Sequence, residues 1–142
     1  MSYDYRAKKV VAVLSSTLET GTAMNVLGHL SVAIGAYADG SLMGKAKLTD
    51  ASGTDHIGIS RYPVIITKVK PSRLRQFIEE ARACPDLLLV DFPQEMLDTG
   101  HDDDLAESIL AKEEKDMAYL GAIVFGDSEK IQPLSGKFML WK

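Results

Sequence analysis

The sequence predicts an α/β fold: a single layered domain over residues 1–142, with a mixed, mostly parallel β-sheet flanked by helices. Three observations carry this expectation. Continuous apolar runs, "VVAVL", "VIITKV", "LLLVDF" and "LGAIVFG", recur along the chain, each with the length and β-branched content of a strand buried on both faces. Between them lie segments whose apolar residues recur at steps of three and four, which marks helices with one buried stripe. Strands that alternate with helices stack as layers. The third observation is bulk: 142 residues, 46% of them hydrophobic, suffice to bury about two-thirds of the unfolded surface.

The polar opening "MSYDYRAKK" runs straight into Val10–Leu14, a β-branched run bounded by lysines and expected to be the central strand. No uninterrupted apolar leader or membrane span precedes it, so the expected location is cytoplasmic. After "STLETG", Ala23, Leu27, Leu30, Ile34 and Tyr37 form a helical stripe, and Gly28, Ser31 and Gly35 form a second stripe of small residues. A helical glycine costs about 1 kcal/mol relative to alanine, so this second stripe predicts close approach by a neighbouring strand, subunit or ligand. Residues 39–62 are rich in Gly, Ser, Thr and Asp, with "KAKLTDASG" as a short exposed strand. "PVIITKV" is then a buried strand, and Pro71–Ala83 an amphipathic helix with Leu74, Phe77, Ile78 and Ala81 inward. "DLLLVDF" reads as a third buried strand. "HDDDLAESILAKEEKDM" follows as a helix with Asp102 as N-cap and acids facing the positive end of its dipole. "YLGAIVFG" makes the fourth strand, and "GKFMLW" closes the sheet.

Ligands of open α/β sheets gather beyond the carboxyl ends of the strands, and three segments meet that condition. In the first, Thr22 lies at a helix start whose free N–H groups suit an anion, while Asn25 and His29, four apart, share a face. Neither GxGxxG nor a P-loop lysine is present, so the support for nucleotide binding is weak. In the second, "VDFPQE", Asp91 leaves a buried strand as a base candidate and Glu95 follows four residues later. In the third, "LTDASGTDH", Asp50, Ser52, Asp55 and His56 have the composition of a hydrolase set, but the spacing fits a polar turn rather than a nucleophile elbow.

"LDTGHDDD" concentrates Asp98, His101 and Asp102–Asp104 without the alternating register of a calcium loop, so neither a metal nor a cofactor is expected. Cys84 is the one cysteine, which excludes an internal disulfide. A net charge of −4 and a pI near 5.3 provide no overall attraction for nucleic acid or an anionic membrane. Residues 98–116 hold eight acids and two lysines, a net −6, which leaves +2 for the rest.

The phrase "AIGAY" at Ala33–Tyr37, the strand "LGAIVFG" and the closing "SGKFMLW" give a segment order that resembles the peptidyl-tRNA hydrolase II superfamily from about Lys9 to Trp141. Within it the chain looks most like a branch known only as a domain of unknown function. The resemblance implies a mixed sheet flanked by helices, often as a homodimer. It also implies loss of function, because the lysine of the family's "GKGK" loop falls near Thr22 or Met24 in "GTAM". Likewise "DFPQE" resembles the family's "DAGRT", keeping a carboxylate as Asp91 but placing Glu95 where the family has a hydroxyl. The expectation is therefore a small protein without efficient peptidyl-tRNA hydrolysis that binds a small polar ligand through Thr22, Asn25, His29, Asp91 and Glu95. His29 or Asp91 would accept a proton if there is catalysis. Two alternatives stand beside it: a diverged hydrolase of an aminoacyl or peptidyl ester, and a dimeric interaction module whose contact is the Gly28/Gly35 helix face.

Overall fold

The computed structural model describes residues 3–142. The chain opens with β1 (Lys8–Ser15), α1 (Thr20–Tyr37), the short strands β2 (Lys47–Thr49) and β3 (Asp55–Ile57), and β4 (Val64–Val69). It continues through α2 (Pro71–Arg82), β5 (Leu88–Pro93), α3 (Gln94–Asp98), α4 (Asp102–Leu110) and a 3-10 turn at Glu114–Asp116. The last elements are β6 (Tyr119–Asp127), α5 (Ser128–Ser135) and β7 (Met139–Leu140).

Five strands form one mixed sheet in the order β5-β6-β1-β4-β7. The expected central strand is central, but the sheet is not mostly parallel. Among the described residues β1 and β4 are its one parallel pair, and the β1–β6, β5–β6 and β4–β7 pairs are antiparallel. The reason is connectivity: α1 supplies the crossover that a parallel pair requires, whereas β6 inserts between β1 and β5 in the opposite sense. β5 runs in the direction of β1 yet never touches it. It becomes an edge strand, half-buried where the sequence pointed to full burial.

Side chains alternate along each strand and so feed two cores. Val10, Ala12, Leu14, Ile123 and Phe92 pack under α1, against Ala23, Val26, Leu30 and Ile34. Val11, Val13, Ala122 and Val124 pack on the opposite face against Leu74, Phe77, Ile78 and Ala81 of α2 and Ile131 of α5. The α2 stripe is the one the sequence predicts. On α1 the buried line shifts by one residue: Val26 takes the place expected for Leu27, and Tyr37 is exposed. Close approach to α1 occurs at Gly121 of β6, where a Cβ would stand 2.9 Å from Leu14 and 3.1 Å from Val26. Among the described residues the small stripe of α1 has no such neighbour, since a Cβ on Gly28 or Gly35 meets nothing within 4 Å.

β2 and β3 pair as a separate hairpin, every residue of which is exposed. Its turn is a polar scaffold. Asp50 Oδ1 accepts from the Ser52 amide and hydroxyl and the Thr54 amide, while Oδ2 pairs with His56 at 2.8 Å. The Ser52 hydroxyl thus donates to Asp50 rather than to His56, as befits a turn and not a nucleophile. Among the described residues no helix is long and apolar enough to cross a membrane.

Candidate functional site

β5 stops at Pro93, and α3 begins at once because Gln94 N–H donates to the Ala118 carbonyl at 2.8 Å. The Thr99 hydroxyl then donates to the Glu95 carbonyl at 2.9 Å and ends that helix. His101, not Asp102, occupies the N-cap of α4, with extended backbone and no side-chain cap bond. Asp102, Asp103 and Asp104 instead fill the first turn, where the helix dipole favours negative charge. From there residues 99–118 strap around the free edge of β5, passing from the α1 side of the sheet to the α2 side.

Under the strap, on the α1 side, lies a cleft of about 370 Å³. Leu30, Val90 and Phe92 form its apolar floor, and His29, Ala33 and Tyr37 of α1 form one wall. Thr99, His101, Asp102 and Leu105 form the facing wall. The His29 ring lies against Phe92 with centroids 6.0 Å apart. An apolar floor with a few polar groups at the rim is the usual construction of a small-molecule site.

Asp91 belongs to this cleft only through its place on β5. Val90 and Phe92 face α1, so alternation turns the Asp91 side chain to the other face, in register with Ala122 of the α2-side core. There its Oδ2 accepts from Arg82 Nη2 at 2.8 Å. The structure therefore brings His29 and β5 together but separates the imidazole from the Asp91 carboxylate. The base candidate expected from "VDFPQE" is a half-buried member of an ion pair.

Glu95 is 4% exposed. Its Oε2 receives Lys112 Nζ at 2.6 Å, while Oε1, also buried, has no hydrogen-bond partner among the described residues. The Lys112 bond holds the Glu95 carboxyl below the usual glutamate range, and the same bond raises Lys112. Asn25 does share a face with His29: both line an open hollow of about 700 Å³ on the outer face of α1, beside Gly28 and Val32 and adjoining the cleft at His29, Ala33 and Tyr37. Thr22 lines neither and is half-buried in the first turn. The sequence reading did not give His101 or Thr99 a place beside His29. No local pattern marks them, because only the return of the strap over β5 brings them there.

A family model described as a protein of unknown function (DUF2000) matches residues 8–142. The chain belongs to this family. The DUF2000 span contains the whole sheet, the strap and both cleft histidines. A solved structure of a protein of unknown function from Agrobacterium tumefaciens strain C58 is similar over 96% of this chain and 98% of its own, with a TM-score of 0.84 and 19% sequence identity. At that identity the likeness shows a shared α/β fold with a mixed sheet flanked by helices. No curated protein sequence matches the chain. Among the described residues of this DUF2000 chain, His101 and the neighbouring aspartates do not converge into a group of three or more metal-ligating side chains.

Proposed function

We propose that the chain binds a small ligand with an apolar body and a polar end in the cleft between α1, β5 and α4, and that it does not hydrolyse peptidyl-tRNA efficiently. The observation that carries the first part is the joint lining of one cleft by His29, on the Phe92 ring, and by His101 and Asp102 across from it. Two imidazoles supply the polar contacts, and Leu30, Val90, Phe92 and Leu105 supply the apolar burial. Support for the second part is the Asp91 carboxylate on the far face of the sheet, paired with Arg82, which removes Asp91 from His29 for shared proton transfer. The resemblance to the peptidyl-tRNA hydrolase II superfamily enters here as a common scaffold with changed chemistry.

The test uses N-acetyl-L-phenylalanine, an apolar body ending in a carboxylate. Saturable shifts of the His29 and His101 ring resonances are expected on titration, and Ala33→Phe, which fills the cleft, abolishes them. Millimolar probe without effect on either ring would overturn the binding reading. Robust peptidyl-tRNA cleavage that disappears in Asp91→Asn would overturn the other half in favour of the diverged hydrolase.

The dimeric reading retains one specific support. α1 has no charged residue in its 18 positions, and its outer face exposes Met24 by 67% and Val32 by 75%, more apolar surface than a solvated helix face normally carries. Light scattering at micromolar concentration decides it: a dimer that Val32→Glu dissociates is expected, and a wild-type monomer removes the reading.

A further inference from the structure

A second cavity, of about 320 Å³, lies on the α2 side of β5. Asp91, Lys112, Glu114 and Tyr119 form its polar wall, and Pro93, Ile109 and Met117 the apolar remainder. Each polar group is oriented from behind. Arg82 holds Asp91 at 2.8 Å, Arg75 and the Tyr119 hydroxyl both donate to Glu114 Oε2 at 2.8 and 2.7 Å, and Glu95 holds Lys112. Among the described residues these bonds engage one oxygen of each carboxylate and one of the three Lys112 protons. Asp91 Oδ1, Glu114 Oε1 and two ammonium protons keep their hydrogen-bonding capacity.

The buried Glu95 stands behind Lys112 and outside the cavity lining. A buried ion pair is weak evidence of stabilisation, because desolvation offsets the Coulomb gain, so its effect is better sought in what it does to Lys112. It fixes an ammonium at the cavity wall. Proton affinities are displaced at two groups of this wall: burial and then the Glu114 bond raise Tyr119, and the Tyr119 bond chiefly lowers Glu114. Such groups concentrate at functional sites.

The wall carries both signs, which restricts the ligand. An anion meets two carboxylates, a simple cation offers no acceptor to the two Lys112 protons that Glu95 does not engage, and a neutral apolar molecule desolvates all of them without compensation. A volume near the lower end of the range for small-molecule sites requires a small body, and Ile109 and Met117 require an apolar one.

We propose that this cavity binds a free α-amino acid with an apolar side chain, its ammonium on Asp91 and Glu114, its carboxylate on Lys112, and its side chain against Ile109 and Met117. The site is separate from the His29 cleft and does not depend on it. Calorimetric titration with L-leucine, L-leucinamide (no carboxylate) and 4-methylpentanoate (no ammonium) tests it. Leucine saturates the protein, and each analogue binds about tenfold more weakly or worse, a difference of one lost charge-assisted contact. Lys112→Gln removes the advantage of leucine over leucinamide, and Asp91→Asn removes its advantage over 4-methylpentanoate. Ile109→Trp, folded by its thermal transition, binds none of the three. Saturating N-acetyl-L-phenylalanine leaves the leucine titration unchanged. The proposal is overturned by absence of saturable leucine binding at about 20 mM, far weaker than functional binding, by undiminished affinity in both charge variants, or by competition from the acetylated probe, which would place leucine in the other cleft.

Discussion

Gly121 sets how near α1 lies to the sheet, because its missing side chain is the space into which Leu14 and Val26 pack. Gly121→Ala is expected to destabilise the fold by about 1–2 kcal/mol: overpacking of a filled core costs roughly 1–3 kcal/mol, and the lower backbone entropy of alanine offsets part of that. Thermal unfolding checks it, and a variant as stable as wild type would mean that the α1–β6 contact yields freely. The sequence pointed to glycines needing close neighbours but chose Gly28 and Gly35, since a helical glycine is conspicuous and a strand glycine inside "LGAIVFG" is not. Asp91 shows the same limit from another side. Alternation along "LLLVDF" already sets Asp91 opposite Val90 and Phe92, but only tertiary packing tells which face meets α1. Arg82, its partner nine residues earlier, carries no mark of that role in a helix that merely directs its arginines outward.

At the scale of elements, those with long apolar patterns were legible: β1 from its β-branched run, α2 from its stripe, β6 from its length. α5 was hidden by Pro133 within eight residues, and β3 by a three-residue strand of polar surroundings. β5 was misplaced because a run covered by a strap reads like one covered by a neighbouring strand. The strap itself depends on few anchors. α4 has no buried residue, so it is held by the Glu95–Lys112 bond at one point and by Arg75 on Glu114 at another. Both partners of the first bond define its pH range. Glu95 is lowered from 4.5, so its contribution is complete above the ordinary carboxylate range and is lost as pH falls through its depressed value. Lys112 is raised from 10.5, so its contribution is complete below that value and is lost as pH rises through the elevated one. The protection of the α4 amides, measured against their intrinsic base-catalysed exchange rates, is therefore expected to be high and flat from weakly acidic to weakly alkaline pH and to fall in acid. Lys112→Met should bring the loss of protection to neutral pH. Wild-type exchange in that variant would show that the bond does not anchor the strap.

Across the whole molecule, the mass of the fold resides in the five-stranded sheet and the helices on its two faces, and the hairpin of β2 and β3 contributes almost nothing to either core. Neither hydrophobic cluster includes a residue between 43 and 61, and all six hairpin strand residues are exposed. An isolated two-stranded hairpin is marginal in water, and this one is held by the polar lattice around Asp50 and by the Thr49–Asp55 bond. Its base is narrow, because Gly58 lies against the Lys45 carbonyl. That geometry allows residues 46–57 to be replaced by an Asn-Gly turn without moving the ends of α1 or β4. The shortened chain should unfold within about 2 °C of wild type, since a transition temperature follows the buried surface lost and here hardly any is lost. Both cavities are built entirely outside the excised segment, so leucine and N-acetyl-L-phenylalanine should titrate it as they do the full chain. A large fall in transition temperature would mean that the hairpin packs on another surface in solution, and Ile57, 90% exposed, would then be the first residue to examine by substitution with serine.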